Sequence, residues 1–518
     1  MKKIENKKSL WFGIVLYLIF FILQIIVISN KENYFVDETL SYGLANYTKG
    51  YFLVLDEGYK YEPAAQPFIE YLSCQPGNRS NFQIAWSNQT NDSHPPFYYA
   101  LVHLVCALKV GTFSKWYAGS INIVFSLMTL FVIRRIAKLL TGNDTIKNLI
   151  SVGFILSYGI LSDCALFRMY FMSMFLVTLT TYLVLLQHRK DRGILFYFLM
   201  IVVVSTGALT HYYCLLYDIF LSAVYCLYLL FHKKWKETVY YCISMAIAAA
   251  ITIGIFPPIV RHLFSTGHAQ DAFSGITAIS NYFSRILLCF NTINQILFGR
   301  MLYVIIPAIV IMKVLLSKRE TEKKKDYAYL FALLPGILCF VTVAITATYT
   351  NERYFTPVFA ILYCAIMSLF LSLLDQLFND EKRAMTVEAL IVLICTGLSY
   401  VGAQWPYLYK EDLAYLNNAE QYKDSDCICI HNEYRLNWEV QLNFNEFIKY
   451  KSFTMLDQRL IETEDIKEYV GDSKNVVINL TCIDNREEYI NEIIKTLPQF
   501  TSYDEIGGNG NGVSYHLR

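Results

Sequence analysis

Long apolar runs separated by short clusters of charge make up the first 400 or so residues of the chain. The first run extends from about Leu10 to about Ser29 and follows Lys2, Lys3, Lys7 and Lys8. About 20 apolar residues suffice for a helix to cross a bilayer. That is longer than a typical signal-peptide core, so the run is read as a retained first span. Basic clusters mark the cytoplasmic side of a membrane protein. On that rule the N-terminus lies inside, and the polar loop from Lys31 to Ser93 lies outside. The run after His94-Pro95-Pro96-Phe97-Tyr98-Tyr99 ends at about Val110. Counted as a span, it would send Arg134, Arg135 and Lys138 outside, so it is assigned as an interfacial helix with its prolines in the first turn.

The other runs alternate in register with the charges. They predict spans at about 116–133, 149–162 and 169–186, then one reaching Thr210 and one ending at Lys233. Further spans exit at Phe256, enter at Lys318-Arg319, exit near Thr348, end near Lys382-Arg383, and run from about Val387 to Val401. With the first, that makes eleven spans, plus a second outer interfacial helix from about Ile279 to Phe298. From Gln404 the pattern changes to short apolar stretches at Asp426–His431, Ser452–Leu456 and Asn475–Thr481, with helical patterns near Trp438–Tyr450, Ile466–Val470 and Arg486–Thr496. Alternation of this kind predicts a small α/β layer. The glycine-rich stretch Gly507–Gly512 reads as a hairpin turn between two last strands, since it lacks the lysine and helix start of a phosphate loop. The expected fold is therefore a polytopic α-helical membrane domain, residues 1–402, followed by an extracytoplasmic α/β domain, residues 403–518.

Composition agrees with the pattern. Hydrophobic residues make up 55% of the 518 and charged residues 17%, against about a quarter charged in a soluble domain. The net charge of +1 argues against a nucleic-acid partner. None of the 13 cysteines forms a paired zinc-type spacing. Cys427-Ile428-Cys429 is read as strand packing with its thiols on opposite faces, not as a redox pair. A bias toward Lys, Ile, Asn and Tyr suggests a bacterial chain, placing it in the plasma membrane with its working face outside.

Candidate chemistry collects on that outer face. Asp37 and Glu38 follow the first span, and His94 opens the interfacial helix. Asp163, Arg168 and Tyr170 flank the turn before the fourth span, and His211, Tyr212 and Tyr213 the turn before the sixth. Arg261, His262 and His268 follow the seventh, and Arg353 and Tyr354 open the tenth. Each has a bland alternative: solvated loop acids, a helix cap, an interfacial belt, or arginines snorkelling to headgroups. The mixture is what points to chemistry, because acids accept protons from hydroxyls and arginines bind phosphate. His94 and His262 are candidate metal donors, but spacing does not show that they converge. No cofactor is assigned, and a divalent metal stays open.

In order, Asp37-Glu38, His94-Pro95-Pro96-Phe97-Tyr98-Tyr99, Arg168-Met169-Tyr170, His211-Tyr212-Tyr213 and Glu352-Arg353-Tyr354-Phe355-Thr356-Pro357 resemble the GT-C membrane glycosyltransferases of the protein O-mannosyltransferase and aminoarabinose-transferase-like superfamily. The resemblance spans most of residues 1–360. It implies a polyprenyl-phosphate sugar donor, inversion at the anomeric carbon, a cell-envelope glycan, lipid or protein as acceptor, and Asp37 as the catalytic acid, with Glu38 orienting it or the acceptor. Substrate contacts are expected from His94, Arg168, Tyr170, His211, Tyr212, Arg261, Arg353 and Tyr354, all but Arg261 lying in these motifs. Many relatives carry an acid two residues before the Arg-Met of the second motif or directly after it. Here those positions are Leu166 and Tyr170, with Asp163 offset. Two rival readings are a flippase for lipid-linked sugar and a receptor anchored by the spans. The outer-boundary position of the charges argues against the first, and the number of spans against the second.

Overall fold

A computed structural model describes residues 2–265, 267–317, 326–378, 380–432 and 441–518. In chain order its helices are α1 (Lys2–Ser29), α2 (Val36–Asn46), α3 (Ala65–Leu72), α4 (Gln83–Asn91), α5 (Phe97–Cys106), α6 (Lys115–Thr141) and α7 (Asp144–Leu156). There follow α8 (Tyr158–Asp163), α9 (Tyr170–Arg189), α10 (Ile194–Ala208), α11 (Tyr212–Phe231), α12 (Trp235–Ile255), α13 (Ile259–Phe264) and α14 (Gly267–Thr277). The last long ones are α15 (Tyr282–Phe298), α16 (Leu302–Ser317), α17 (Ala328–Thr346), α18 (Thr356–Asp375) and α19 (Glu381–Ser399). Five strands close the chain: β1 (Asp426–His431), β2 (Ser452–Asp457), β3 (Val476–Thr481), β4 (Tyr503–Gly508) and β5 (Gly512–Leu517).

The chain is a polytopic α-helical membrane protein with a small C-terminal α/β domain. Each segment expected to span is mainly helical where described. The basic ends at Lys318-Arg319 and Lys323–Lys325 fall outside the described residues, as does part of the helix expected near Trp438. The expectation of eleven full-length spans is corrected. Among the described residues, six helices are long and apolar enough to cross, or seven if α15 and α16, bent by 87°, count as one. The reasons are local. Ser157 breaks the third expected span into α7 and α8. The fifth, α10, has 15 residues, about 22 Å of helix against a hydrocarbon core of about 30 Å. Helix α19 carries Glu381, Lys382, Arg383 and Glu388. The segment expected as a second interfacial helix is α15, which turns at a left-handed Gly299 into α16.

Two compact units divide the chain. The first comprises Met1–Ile28, Ser93–Tyr98 and Gly119–Gln404. It contains the apolar helices, and its core is built where α9, α11, α17 and α18 pack together.

The second comprises Ser29–Asp92, Tyr99–Ala118 and Trp405–Arg518. Its sheet has the order β2-β1-β3-β5-β4, with β2, β1 and β3 parallel and β5 antiparallel to β3 and β4. Strands β2 and β3 are buried along their whole length, and β1 beyond its first residue. Such strands read as near-continuous apolar runs because both faces are covered. The glycine-rich stretch is the β4–β5 turn, as expected. One expectation is corrected: Cys427 and Cys429, two residues apart on β1, share a face, because strand side chains alternate with a period of two. Residues 57–68 cover the outer edge of β2. Gly58 N–H donates to Met455 O at 2.9 Å, Tyr61 pairs with Phe453, and the Phe68 ring lies 5.2 Å from that of Phe453. Covering an edge strand removes a template for unwanted pairing.

Candidate functional site

In the second unit, the acidic pair opens α2. Phe35 is the extended N-cap residue, and Glu38, three positions on, accepts from Phe35 N–H at 2.7 Å. That is the returning half of a capping box. The same Oε2 accepts from Lys31 Nζ at 2.9 Å, and Lys31 Nζ also donates to Tyr407 O at 2.7 Å. Both side chains are fully buried. The ammonium lies 5.3 Å from the centre of the Tyr34 ring and 5.2 Å from that of Tyr409, within cation–π range. Burial pulls the Lys31 ammonium below its ordinary value, and the Glu38 carboxylate pulls it back. Asn33 ties the segment further, donating to Asp412 Oδ2 at 2.6 Å and Tyr415 Oη at 3.2 Å.

Asp37 sits in the same first turn but is only half-buried. Adjacent helical residues point about 100° apart, so the two carboxylates serve different surroundings. Glu38 holds the helix start; Asp37 is the acid presented beside it. Gly43, one turn further along, lets α2 close on α3: a Cβ there would lie 2.0 Å from Tyr71 Cζ.

In the first unit, cations and aromatic rings gather where helices begin. Arg168 precedes α9, His211 caps α11, Arg353 precedes α18 and His94 precedes α5. Arg168 Nη2 lies 3.4 Å from His94 Nε2. The His94 and His211 rings are 5.9 Å apart, and His211 meets Tyr170 at 5.6 Å and Tyr213 at 4.7 Å. Tyr213 then meets Tyr354 at 6.0 Å, over which the Arg353 guanidinium sits at 5.3 Å. Both arginines are buried. Six of the eight expected substrate-binding residues thus join one cluster. Tyr213, which links its halves, had been noted only as a neighbour of His211.

The protonation of His211 follows from geometry. Its Nδ1 accepts from Tyr213 N–H at 3.0 Å. A backbone N–H only donates, so Nδ1 carries no proton and the neutral ring keeps its hydrogen on Nε2. Burial, with His94 and Arg168 nearby, holds His211 well below its ordinary pKa, in agreement. The ring is therefore a hydrogen-bond donor through Nε2.

Tyr212 turns to a different partner, hydrogen-bonding His262 Nδ1 at 2.7 Å. Arg261, on the short α13, is exposed. Nothing is described of the side chain of His268. Among the described residues, no group of three or more His, Cys, Asp or Glu is arranged to hold a metal ion.

Asp163 connects two arms of the cluster. It is buried and accepts from Thr356 Oγ1 at 2.5 Å. The bond ties the turn before Arg168 to the segment just after Arg353. Burial raises the Asp163 carboxyl to about 8, against the lowering effect of the Thr356 hydrogen bond, and the Glu352 charge adds to the rise. A carboxyl raised on folding stabilises fully below its unfolded pKa of about 3.8, and that contribution is lost as pH rises through the folded value. The part of the thermal midpoint owed to Asp163 is expected to fall as pH is raised from about 4 to about 8. Asp163→Asn, with no proton to lose, lacks that part of the fall; a parallel fall in the variant would assign it elsewhere.

No protein-family model and no curated protein sequence matches the chain. Among solved structures, ArnT from Cupriavidus metallidurans, bound to undecaprenyl phosphate, aligns over 97% of this chain and 97% of its own at 10% identity, with a TM-score of 0.55. The oligosaccharyltransferase of Archaeoglobus fulgidus, in complex with zinc and sulfate, aligns over 96% of this chain and 72% of its own at 11% identity, with a TM-score of 0.48. At such identities the likeness is one of fold. On the first alignment, the chain shares the fold of ArnT.

Proposed function

We propose that this protein is an integral-membrane glycosyltransferase that moves a sugar from a polyprenyl-phosphate donor to an acceptor hydroxyl with inversion. The observation that carries the proposal is the first-unit cluster. Two buried arginines are linked to His211 through the rings of His94, Tyr213 and Tyr354, where α9, α11 and α18 begin. Helix N-termini favour anions, and guanidinium groups bind phosphate strongly. The shared fold with ArnT, whose structure holds undecaprenyl phosphate, supports a polyprenyl phosphate as the carrier.

In this reaction the acceptor oxygen attacks the anomeric carbon as Asp37 takes its proton. The bond from the anomeric carbon to the phosphate oxygen breaks, and polyprenyl phosphate leaves with the electron pair. Arg168 and Arg353 meet the charge growing on the phosphate, where stabilisation lowers the barrier most. His211 donates to the phosphate or the sugar, and Tyr170 and Tyr354 flank it. A phosphate is a good enough leaving group to depart without a proton, so one carboxylate suffices, unlike the acid–base pair of glycoside hydrolases. Glu38 is a positioning residue that sets the turn carrying Asp37. Tyr212 and Arg261 are assigned to the edge of the substrate site. The proposed topology has eleven crossings of the plasma membrane, some by short or broken helices, with the N-terminus cytoplasmic and the C-terminal domain outside. The acceptor is a cell-envelope glycan, lipid or protein.

The test uses a panel of radiolabelled polyprenyl-phosphate sugars, offered to membranes with and without the chain. Label is expected to enter endogenous membrane or wall material only when the chain is present. Absence of transfer across the panel, with lipid-linked sugar merely changing leaflet, would replace the transferase by a flippase.

A further inference from the structure

Three candidate spans of the first unit meet at the end opposite His211. Helix α9 ends at Arg189, α11 ends at Phe231 and α12 begins at Trp235. Helix α10 begins at Ile194, about 22 Å along its axis from the His211 end, and packs beside α12. Phe196 stacks on Tyr241 with ring centres 6.1 Å apart, and Tyr197 meets Tyr240 at 5.9 Å. The loops that enter these two helices are therefore neighbours.

Those loops and the first turn of α12 carry Lys190, Arg192, Lys233, Lys234 and Lys236, all exposed. The nearby acids are fewer: Glu237 in the first turn of α12, Asp191 and Asp326. Asp191 braces its own loop, accepting from Gly193 N–H and Gln187 Nε2, each at 2.9 Å. Asp326 pairs with Arg189 at 2.7 Å and faces His188 at 3.5 Å. Among the described residues, no carboxylate is ion-paired with any of the five cations. Lys234 instead lies over the Tyr228 ring. Large apolar side chains stand exposed beside the cations: Ile194 is 86% exposed, Phe231 81% and Trp235 62%.

Neither water nor hydrocarbon suits this surface alone. The cations need a polar, preferably anionic, medium, and Phe231 and Ile194 need an apolar one. The headgroup layer of a bilayer supplies both within a few ångströms, and it is where Trp and Lys side chains settle at span ends. We propose that this face binds the phosphodiester headgroup of an anionic phospholipid. The five cations surround the phosphate while Ile194, Phe231 and Trp235 lie along the acyl chains. An excess of cations over free acids selects an anionic headgroup over a zwitterionic one.

The experiment is native mass spectrometry of the full chain released from mixed micelles containing phosphatidylglycerol and phosphatidylcholine in equal amounts. Phosphatidylglycerol is expected to be retained in preference, and the preference should weaken at high salt because exposed charges are screened. The variant Arg192→Gln/Lys233→Gln/Lys234→Gln removes three cations. At roughly fivefold per cation near a membrane surface, it should lose on the order of a hundredfold in relative retention. Its thermal midpoint in phosphatidylcholine alone should match the native chain, since all three side chains are exposed. Equal retention of the two lipids by the native chain, or an unchanged preference in the variant, would overturn the proposal. A third arm adds inorganic phosphate at the same phosphate concentration. If free phosphate displaces the lipid, the face is a soluble-anion site and the headgroup assignment fails. None of these outcomes depends on sugar transfer, so they leave the proposed activity untouched.

Discussion

Asp37→Asn is expected to lower sugar transfer by about 10²–10⁴-fold, the range for loss of a positioned general base, while the protein still inserts and melts as the native chain does. Asn is nearly isosteric with Asp and keeps the backbone carbonyl that accepts from Ser41 Oγ at 2.9 Å. It leaves untouched the Glu38 and Lys31 contacts that set the start of α2. What it removes is basicity at a half-buried position. If the carboxylate acts as the acceptor's oxygen attacks, kcat and kcat/KM should fall together, because the lost interaction belongs to the transition state. A rise in KM alone would make Asp37 a binding residue. Full activity would remove it from the mechanism.

The largest effect on stability is expected from Lys31→Met. Lys31 and Glu38 are both fully buried, so removing the lysine strands a carboxylate away from water. Breaking one partner of a buried pair costs about 3–5 kcal/mol. The measurement is the rate of limited proteolysis around α2, together with the thermal midpoint, since unfolding of a membrane protein is often irreversible. The companion variant Lys31→Met/Glu38→Gln is expected to recover much of the loss, because a neutral amide replaces the stranded charge and its Oε1 still accepts from Phe35 N–H. Activity should follow stability in both, as Asp37 lies on the same turn. A single variant as stable as the native chain would mean that the pair is no anchor.

These predictions rest on details of unequal visibility in the sequence. The boundary of α1 and the position of the acidic pair were legible, because a run of about 20 apolar residues ending in polar loop is a local signal. The partner of Glu38 was not. Lys31 stands seven residues earlier in what reads as ordinary loop, and nothing in the sequence says that the chain bends back to bring its ammonium to the carboxylate. The resemblance implies that Glu38 orients Asp37 or the acceptor. The helix that forms there turns the two acids apart.

The same contrast holds for the wider site. His94, Arg168, His211 and Arg353 could each be placed at the beginning of a helix from hydropathy and charge alone. Their ring and guanidinium contacts join segments up to 259 positions apart, from His94 to Arg353, and no local pattern records such a meeting. Asp163 looked like a displaced acid; its bond to Thr356 makes it a tie between two arginine-bearing segments.

By itself, the sequence determined the membrane class, the helical segments and the C-terminal α/β layer, because apolar length and alternation act over a few turns or one strand. It also carried the order of motifs from Asp37 to Arg353. Tertiary structure decided which helices are long and apolar enough to cross, by revealing the break at Ser157 and the bend after α15. It grouped Ser29–Asp92 with the C-terminal sheet, where Phe68 packs on Phe453. It separated the work of Glu38 from that of Asp37, and gathered the cationic cluster at the helix starts. Those outcomes depend on packing and burial between residues remote in the chain, and such energies appear only once the chain is folded.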